Sequence, residues 1–159
     1  MPGLGWRQDL ERREELHGTA TPFVCPRTYS APDEILHPWL TIHNQGNMGS
    51  CSGHAISTCC EVLAYIQSGG TVIQYSRMFG YLAGQTFDNL LGSDNGATIT
   101  GSVRGAVEMG SCLEDLFPYP QSYTRNIPSA AKEAAKSRLV KSHSVLKSYD
   151  DCYKWLATG

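Results

Sequence analysis

The sequence of 159 residues has no long apolar run and no excess of positive charge. No stretch approaches the roughly eighteen apolar residues that a membrane-spanning helix needs, and the charged first twenty residues contain no apolar export signal. Thirteen Lys and Arg residues against fifteen Asp and Glu residues give a formal net charge of −2, so there is no basic field for nucleic acid. We therefore expect neither a membrane nor a nucleic acid as partner, and favour small or peptidic partners.

The sequence also lacks the cysteine spacing of a metal site. None of the six cysteines forms a CxxC pair, and they resemble neither a zinc site nor a dense disulfide framework: Cys25, Cys51, Cys59, Cys60, Cys112 and Cys152. We expect no metal and no other cofactor, and mainly reduced thiols in a reducing compartment. One or two disulfides in an exported protein remain the alternative.

Helical periodicity begins after residue 50. Residues 1–40 hold five of the eight prolines and predict an extended lead-in. Apolar positions then predict a helix over about 50–67, ended by Ser68-Gly69-Gly70. Two shorter helices are predicted further on, the first with Gly84 near its end and the second with Thr98 as its N-cap. Their apolar faces are Tyr75, Met78, Phe79 and Leu82, and Ile99, Val103, Ala106 and Val107.

The last forty residues predict two helices and one strand. An alanine-rich helix is expected at 129–137 and a strand within 138–147. Residues 149–157 predict a short helix opened by Ser148, with two acidic residues in the first turn, where the helix dipole favours them.

The segment with the clearest chemical meaning is Gln45-Gly46-Asn47-Met48-Gly49-Ser50-Cys51, called here the nucleophile loop. It delivers Cys51 to the N-terminus of the first predicted helix, where unpaired backbone N–H groups and the helix dipole favour a thiolate. We therefore expect a lowered pKa for Cys51. Gln45, six residues earlier, is a candidate donor for an oxyanion.

These residues resemble the nucleophile segment of papain-like cysteine peptidases, in which a Gln precedes the catalytic Cys by six positions. The resemblance extends upstream to GWRQDLERREE and LHPWLTIHNQG, which look like the lead-in of the bacterial and viral branch without a long propeptide. Downstream it extends to QYSRMFGYLAGQ and GSDNGATITGSVRGAVEMGSCLEDLFPYP. It implies an α+β papain-like fold in which 1–40 is the lead-in, 41–120 the helical lobe, and 121–159 the crossover and the start of a largely missing β-barrel-like lobe.

The resemblance also implies roles for individual residues. Cys51 would be the nucleophile, and Gln45 with the Cys51 backbone N–H would form the oxyanion hole. Gly49 and Ser50 match the approach to the nucleophile. Gly96, preceded by Asn95, aligns with the glycine whose backbone pairs with the substrate, although Asn-Gly alone is also an ordinary turn.

Two departures from the family pattern concern the surroundings of the thiol. Many members have a disulfide-forming cysteine where this chain has Met48, so that bridge is absent. The aromatic residue that often follows the nucleophile is replaced by Ser52. The resemblance therefore implies a more open and polar wall beside the thiol.

The catalytic base is missing from its expected position. In this family a histidine a hundred or more residues after the cysteine serves as base, with an Asn or Asp to orient it. His143 is the only histidine far behind Cys51, and its context does not match; His54 is expected to be a packing or interdomain residue. Three explanations for the missing base are open. The chain is a fragment completed by a missing lobe or another chain, or it was terminated early, or it is a short variant recruited for binding.

The leading interpretation is a cysteine peptidase, or its N-terminal portion, that hydrolyses peptide bonds through an acyl-enzyme on Cys51, with the base supplied from outside this chain. A catalytically incomplete interaction or assembly module is the second hypothesis. A third keeps Cys51 as nucleophile in another acyl transfer, such as deamidation or transamidation. The partners expected are a peptide or protein substrate and a second chain or lobe that supplies His and Asn.

Overall fold

The computed structural model describes residues 6–7 and 38–157. These residues form five α-helices: α1 (Cys51–Ser68), α2 (Arg77–Asp88), α3 (Ile99–Glu108), α4 (Ser129–Ala135) and α5 (Tyr149–Ala157). Strand β1 (Trp6–Arg7) pairs in parallel with β2 (Ala97–Thr98). Within the described part, the only other β pairing is an isolated bridge between Tyr75 and Leu113. A 3-10 turn at Glu114–Leu116 follows α3.

Helix α1 confirms the long helix expected at about 50–67. It ends where Gly69 adopts a left-handed conformation with φ of 70° and its N–H bonds back to the Ile66 carbonyl at 3.3 Å. Gly70 closes the same end on the Tyr65 carbonyl at 2.9 Å. A glycine tolerates this conformation without the Cβ clash that stops other residues.

Helix α2 begins later and ends later than the apolar pattern suggests. Ser76 caps it by accepting from the Phe79 N–H at 3.0 Å, while Tyr75 lies before the helix in the bridge to Leu113. Gly84, expected near the end of the helix, lies within it. The position favours glycine because a Cβ there would come within 2.8 Å of the Ser102 hydroxyl of α3. This glycine therefore marks the close approach of two helices, and the expected end was wrong.

Helix α3 confirms Thr98 as its N-cap. The Thr98 hydroxyl accepts from the Gly101 N–H at 2.9 Å and donates to the Asp88 carboxylate at 2.8 Å, so the end of α2 and the start of α3 share one cap. Gly110 follows the helix with φ of 87°, and a Cβ on it would lie 2.0 Å from the Ala135 carbonyl. Only glycine fits this turn.

The core of the described part is built around α2, which packs between α1 and α3. Its four large apolar or aromatic side chains between residues 78 and 82 are almost completely buried: Met78, Phe79, Tyr81 and Leu82. A Cβ on Gly53 of α1 would lie 2.6 Å from both the Arg77 carbonyl and the Tyr81 Cβ, so α1 and α2 touch backbone to backbone there. This tight contact fixes the orientation of the helix that carries Cys51.

The C-terminal part confirms both expected helices but not the expected strand. Helix α4 buries Ala131 and Ala135 completely, and Ser148 caps α5 by accepting from the Asp151 N–H at 3.0 Å. Residues 138–147 form no strand, because the segment finds no strand partner in the described part of the chain. Near its start the Val140 N–H donates to the Ala106 carbonyl at 3.0 Å, and at its end the Lys147 N–H donates to the Asp151 carboxylate at 3.1 Å.

The expected lead-in at 1–40 lies mostly outside the described residues. Its described contribution to the fold is the pairing of Trp6 with Ala97 and of Arg7 with Thr98. Among the described residues, no helix is long and apolar enough to cross a membrane.

Candidate active site

Cys51 is the first residue of α1 and is partly exposed to solvent. Burial raises the pKa of its thiol above the ordinary value of 9.0, and hydrogen bonds from the Ser52 and Cys51 backbone N–H groups lower the pKa by less. The expectation of a lowered pKa was therefore wrong for the described residues. The amides of the first helical turn lower the pKa as expected, but desolvation of the sulfur raises it by more.

The Gln45 side chain is folded into the nucleophile loop. Its Nε2 donates to the Met48 carbonyl at 2.9 Å, and the Gln45 backbone carbonyl accepts from the Tyr119 hydroxyl at 3.0 Å. The amide group is thereby held beside the loop that ends at Cys51. One N–H of the amide is used within the loop, and a role for Gln45 as an oxyanion donor stays a prediction.

Ser50 connects the nucleophile loop to Tyr119. Its side chain is completely buried, and its hydroxyl lies 2.5 Å from the Tyr119 hydroxyl. Since Tyr119 donates to Gln45, Ser50 is the donor in the pair with Tyr119. Tyr119 therefore bonds to the first and sixth residues of the nucleophile loop and holds it closed.

His54 packs against this same cluster. Its Nδ1 lies 3.1 Å from the Ser50 carbonyl, and its ring meets Tyr119 edge-on with centroids 4.9 Å apart. Burial lowers the pKa of His54 below 6.5, with smaller lowering effects from Arg77 and His43. These contacts agree with the packing role expected for His54.

Gly49 joins the nucleophile loop to residues 93–96, called here the 93–96 loop. The Gly49 N–H donates to both oxygens of the Asp94 carboxylate, at 2.9 and 3.0 Å. The Tyr81 hydroxyl donates to the same carboxylate at 2.7 Å and accepts from the Gly96 N–H at 3.0 Å. Gly49 and Gly96, predicted from the sequence as separate site residues, are thus brought together through Asp94 and Tyr81.

Gly96 faces inward in this arrangement. It is buried with φ of 79°, its N–H donates to Tyr81, and its carbonyl accepts from Gln85 Nε2 at 3.1 Å. Asn95 beside it is exposed, and its side chain donates to the Ser93 hydroxyl at 2.6 Å. Both backbone groups of Gly96 are therefore occupied within the protein, and pairing of a substrate strand with Gly96 stays a prediction.

Sequence reasoning missed the polar residues that support the two loops, namely Tyr81, Gln85, Asp94 and Tyr119. A signal existed for two of them. Tyr81 and Gln85 are one helical turn apart in an otherwise apolar, buried stretch of α2, and buried polar groups at such positions need partners. The Asp94 contact carried no such signal, because it joins positions 45 residues apart in an irregular loop.

The base that would serve Cys51 stays a prediction from the sequence. Burial raises the pKa of its thiol, and two backbone N–H groups lower it by less. His143 lies in the irregular segment after α4, and His17 and His37 fall outside the described residues. Nor does the described part contain a cluster of three His, Cys, Asp or Glu residues that could hold a metal ion.

A helical layer that presents a cysteine at the N-terminus of its longest helix defines the class of fold, that of the papain-like cysteine proteases. Xylellain, a cysteine protease from Xylella fastidiosa, superposes with a TM-score of 0.66 at 19% identity, over 96% of this chain and 67% of its own. The Amb a 11 cysteine protease of ragweed pollen, in its proform, superposes with a TM-score of 0.53 at 17% identity, over 74% of this chain and 34% of its own.

A third similar structure was solved to compare the mite allergens Blo t 1 and Der p 1. It superposes with a TM-score of 0.52 at 16% identity, over 87% of this chain and 47% of its own. The sequence matches no protein-family model and no curated protein. At these identities the likeness shows the fold. The expected α+β papain-like fold, represented mainly by its helical lobe, is therefore confirmed.

Proposed function

We propose that this chain is the nucleophile-bearing part of a cysteine peptidase of the papain-like class. The observation that carries the proposal is the placement of Cys51 at the start of α1, with the Gln45 amide folded into the loop that precedes it. A cysteine and an amide donor six residues apart serve little purpose for packing, because Cys51 is partly exposed. The same pair fits nucleophilic attack with stabilisation of the oxyanion.

The reaction proceeds by acyl transfer. The Cys51 thiolate attacks the peptide carbonyl carbon, the Sγ–C bond forms, and the carbonyl oxygen becomes an oxyanion held by the Gln45 amide and the Cys51 N–H. The intermediate then collapses, the C–N bond breaks, and the leaving amine takes from the base the proton that the base had removed from the thiol. The base then takes a proton from water, whose oxygen attacks the thioester carbonyl carbon. Breakage of the Sγ–C bond releases the acid product and restores the thiolate beside the protonated base.

The base comes from outside the described residues, from a second lobe or a second chain that supplies His and an orienting Asn. The raised pKa of Cys51 supports this part of the proposal, because the thiol in its described surroundings is mostly neutral near pH 7. An imidazolium beside the sulfur would lower that pKa and stabilise the thiolate. Catalysis therefore depends on completing the site.

A peptide substrate would lie over the exposed side of the 93–96 loop. Asn95 is exposed there, whereas Gly49, Ser50 and Gly96 are buried and shape the loops from within. In this proposal Gly49 and Ser50 place the thiol. Asn95 meets the substrate, while Gly96 supplies the turn and pairs with it only if Tyr81 and Gln85 release its backbone.

The test is peptide hydrolysis by the full-length protein with a mixed fluorogenic peptide set, together with labelling by an epoxysuccinyl probe. We expect Cys51→Ala to abolish both signals and Gln45→Ala to reduce kcat/KM by about a hundredfold or more, the usual effect of losing one oxyanion donor. Cys152→Ala, which removes an exposed thiol of α5, is the matched control and should change neither. Hydrolysis that survives Cys51→Ala would overturn the proposal.

A non-catalytic interaction module is the second candidate, and one observation favours it. Helix α1 carries an exposed apolar stripe that begins one turn after Cys51: Ala55, Cys59, Leu63 and Ile66. Leu63 and Ile66 are 42% and 53% exposed, which is typical of a surface that binds another chain or lobe. Intact binding of a partner by Cys51→Ala, with no hydrolysis by the unmodified protein, would support this candidate over the peptidase.

A further inference from the structure

Asp94 is the one described side chain that bonds directly to the nucleophile loop from the 93–96 loop. Its carboxylate receives the Gly49 N–H on both oxygens, at 2.9 and 3.0 Å. Gly49 lies two residues before Cys51. Hydrogen bonds to an ionised carboxylate are about twice as strong as those between neutral groups, so this contact is a firm attachment for the loop.

The attachment continues into the core through Tyr81. The Tyr81 hydroxyl donates to Asp94 at 2.7 Å and accepts from the Gly96 N–H at 3.0 Å and from Gln85 Nε2 at 2.9 Å. The Tyr81 side chain is completely buried in α2. Asp94 therefore connects an exposed loop and the nucleophile loop to one fixed point in the core.

Gly49 lies in a narrow space between the nucleophile loop and the 93–96 loop. A Cβ on Gly49 would lie 3.1 Å from Asp94 Oδ1 and 3.4 Å from the Gly96 nitrogen. The two loops thus lie close together at this point. A side chain at position 49 would require Asp94 to shift by a few tenths of an ångström.

We propose that Asp94 is a positioning residue that fixes the nucleophile loop relative to the 93–96 loop. It does not touch the reacting atoms. Asp94 accepts from Gly49, while Tyr119 bonds to Ser50 and Gln45 elsewhere in the same loop. Together these contacts fix the distance between the Cys51 thiol and the 93–96 loop, over which a peptide would lie. The part concerning Cys51 rests on the proposed function; the attachment itself does not.

The attachment is tested by amide hydrogen exchange on the ¹⁵N-labelled full chain, with the amides of α2 as internal reference for overall stability. We expect Asp94→Ala to reduce protection of the Gly49 amide about tenfold or more, as loss of a charge-assisted hydrogen bond does. Asp94→Asn, which keeps one acceptor oxygen, should lie between. Tyr81→Phe should expose the Gly96 amide while the Gly49 amide keeps most of its protection.

Asp88→Ala is the matched control. Asp88 is the last residue of α2, and its carboxylate also accepts a hydrogen bond from a backbone N–H, that of Thr98 at 2.7 Å. The variant should release the Thr98 amide and leave Gly49 protected. Unchanged Gly49 protection in Asp94→Ala, with α2 intact, would overturn the proposed attachment.

The positioning role is tested in the full-length protein by separating kcat from KM and by the pH profile of hydrolysis. We expect Asp94→Ala to lower kcat/KM about tenfold or more, Asp94→Asn to recover part of the loss, and Asp88→Ala to change it little. Loss of Gly49 protection without any change in kcat or KM would overturn the positioning role. If no peptide is hydrolysed by the unmodified protein, the proposed function fails, and the exchange experiment still decides the attachment.

Discussion

Two opposing effects act on the thiol of Cys51, and their balance makes a prediction at the scale of one residue. Burial raises its pKa above 9.0, and two backbone N–H groups lower it by less. Only the thiolate reacts with iodoacetamide, so alkylation of Cys51 in the isolated 159-residue chain should reach half its maximal rate above pH 9.0. The measurement is mass-spectrometric alkylation against pH, with a short cysteine peptide as reference.

A matched Cys51→Ser sample identifies the signal of this cysteine. A half-maximal pH below that of the reference peptide would contradict the raised pKa of Cys51 and would remove the support that this pKa gives to a base supplied from outside the described residues.

His54 makes a second prediction at this scale. Burial first, then Arg77 and His43, lower its pKa below 6.5, while Glu114 and the Ser50 carbonyl act in the opposite direction. Because the unfolded chain binds the proton more readily, His54 stabilises the fold above pH 6.5 and that contribution is lost as the pH falls. We expect the free energy of unfolding to drop less between pH 7 and pH 5 in His54→Asn than in the unmodified chain.

Urea denaturation at the two pH values measures this difference. Asn retains an N–H donor for the Ser50 carbonyl but does not titrate in this range, so the comparison isolates the proton. Equal losses of stability in both proteins would contradict the lowered pKa of His54.

At the scale of single elements, the shared cap between α2 and α3 is the contact most open to test. The Thr98 hydroxyl accepts from the Gly101 N–H and donates to the Asp88 carboxylate. Thr98→Ala removes both bonds and should lower the free energy of unfolding by about 0.5–2 kcal/mol, the usual cost of losing an N-cap. The measurement is urea denaturation at pH 7.

Ser148→Ala is the natural comparison, since it removes the same kind of cap from α5, an exposed helix. We expect a smaller loss there because Ser148 is exposed, whereas the Thr98 cap also joins two core helices. Equal losses would mean that the Asp88 contact adds nothing to the cap.

Elements were predictable where local rules suffice. The periodicity of α1, the cap at Thr98 and the cap at Ser148 all depend on residues within a few positions of each other. The end of α2 and the absent strand within 138–147 depend on distant partners: Gly84 serves the contact with Ser102, and a strand needs a neighbouring strand. Such partners leave no trace in a local window of sequence.

At the scale of the whole molecule, the fold could be predicted from the sequence, but the inner support of the site could not. The cysteine loop and the segments that follow it pointed to the papain-like fold, which the similar structures confirm. Asp94 and Tyr119 reach the nucleophile loop from 45 and 69 or more positions away. Their contacts exist only once α1, α2 and the chain after α3 are packed together.

One buried ion pair helps to join these parts, and it makes the last prediction. Arg77 is 1% exposed and Glu61 is 3% exposed, and Nη2 of Arg77 lies 3.0 Å from both carboxylate oxygens of Glu61. Glu61 also accepts from the Tyr75 N–H at 2.8 Å, while Nη1 of Arg77 donates to the Tyr75 carbonyl at 2.9 Å. The pair therefore links α1, the start of α2 and the segment between them.

Removal of Arg77 leaves Glu61 charged and buried, and removal of Glu61 leaves Arg77 with the more distant Glu114 carboxylate at 4.0 Å. Arg77→Met and Glu61→Leu should each lower the free energy of unfolding by about 3–5 kcal/mol, measured by urea denaturation at pH 7. The double variant should be more stable than the sum of the single losses predicts, because it leaves neither charge unpaired. Lys136→Met, which breaks the exposed pair with Glu133, is the control and should cost less than about 1 kcal/mol. Additive losses in the double variant would show that Arg77 and Glu61 act independently, and the ion pair would then not be what joins α1 to α2.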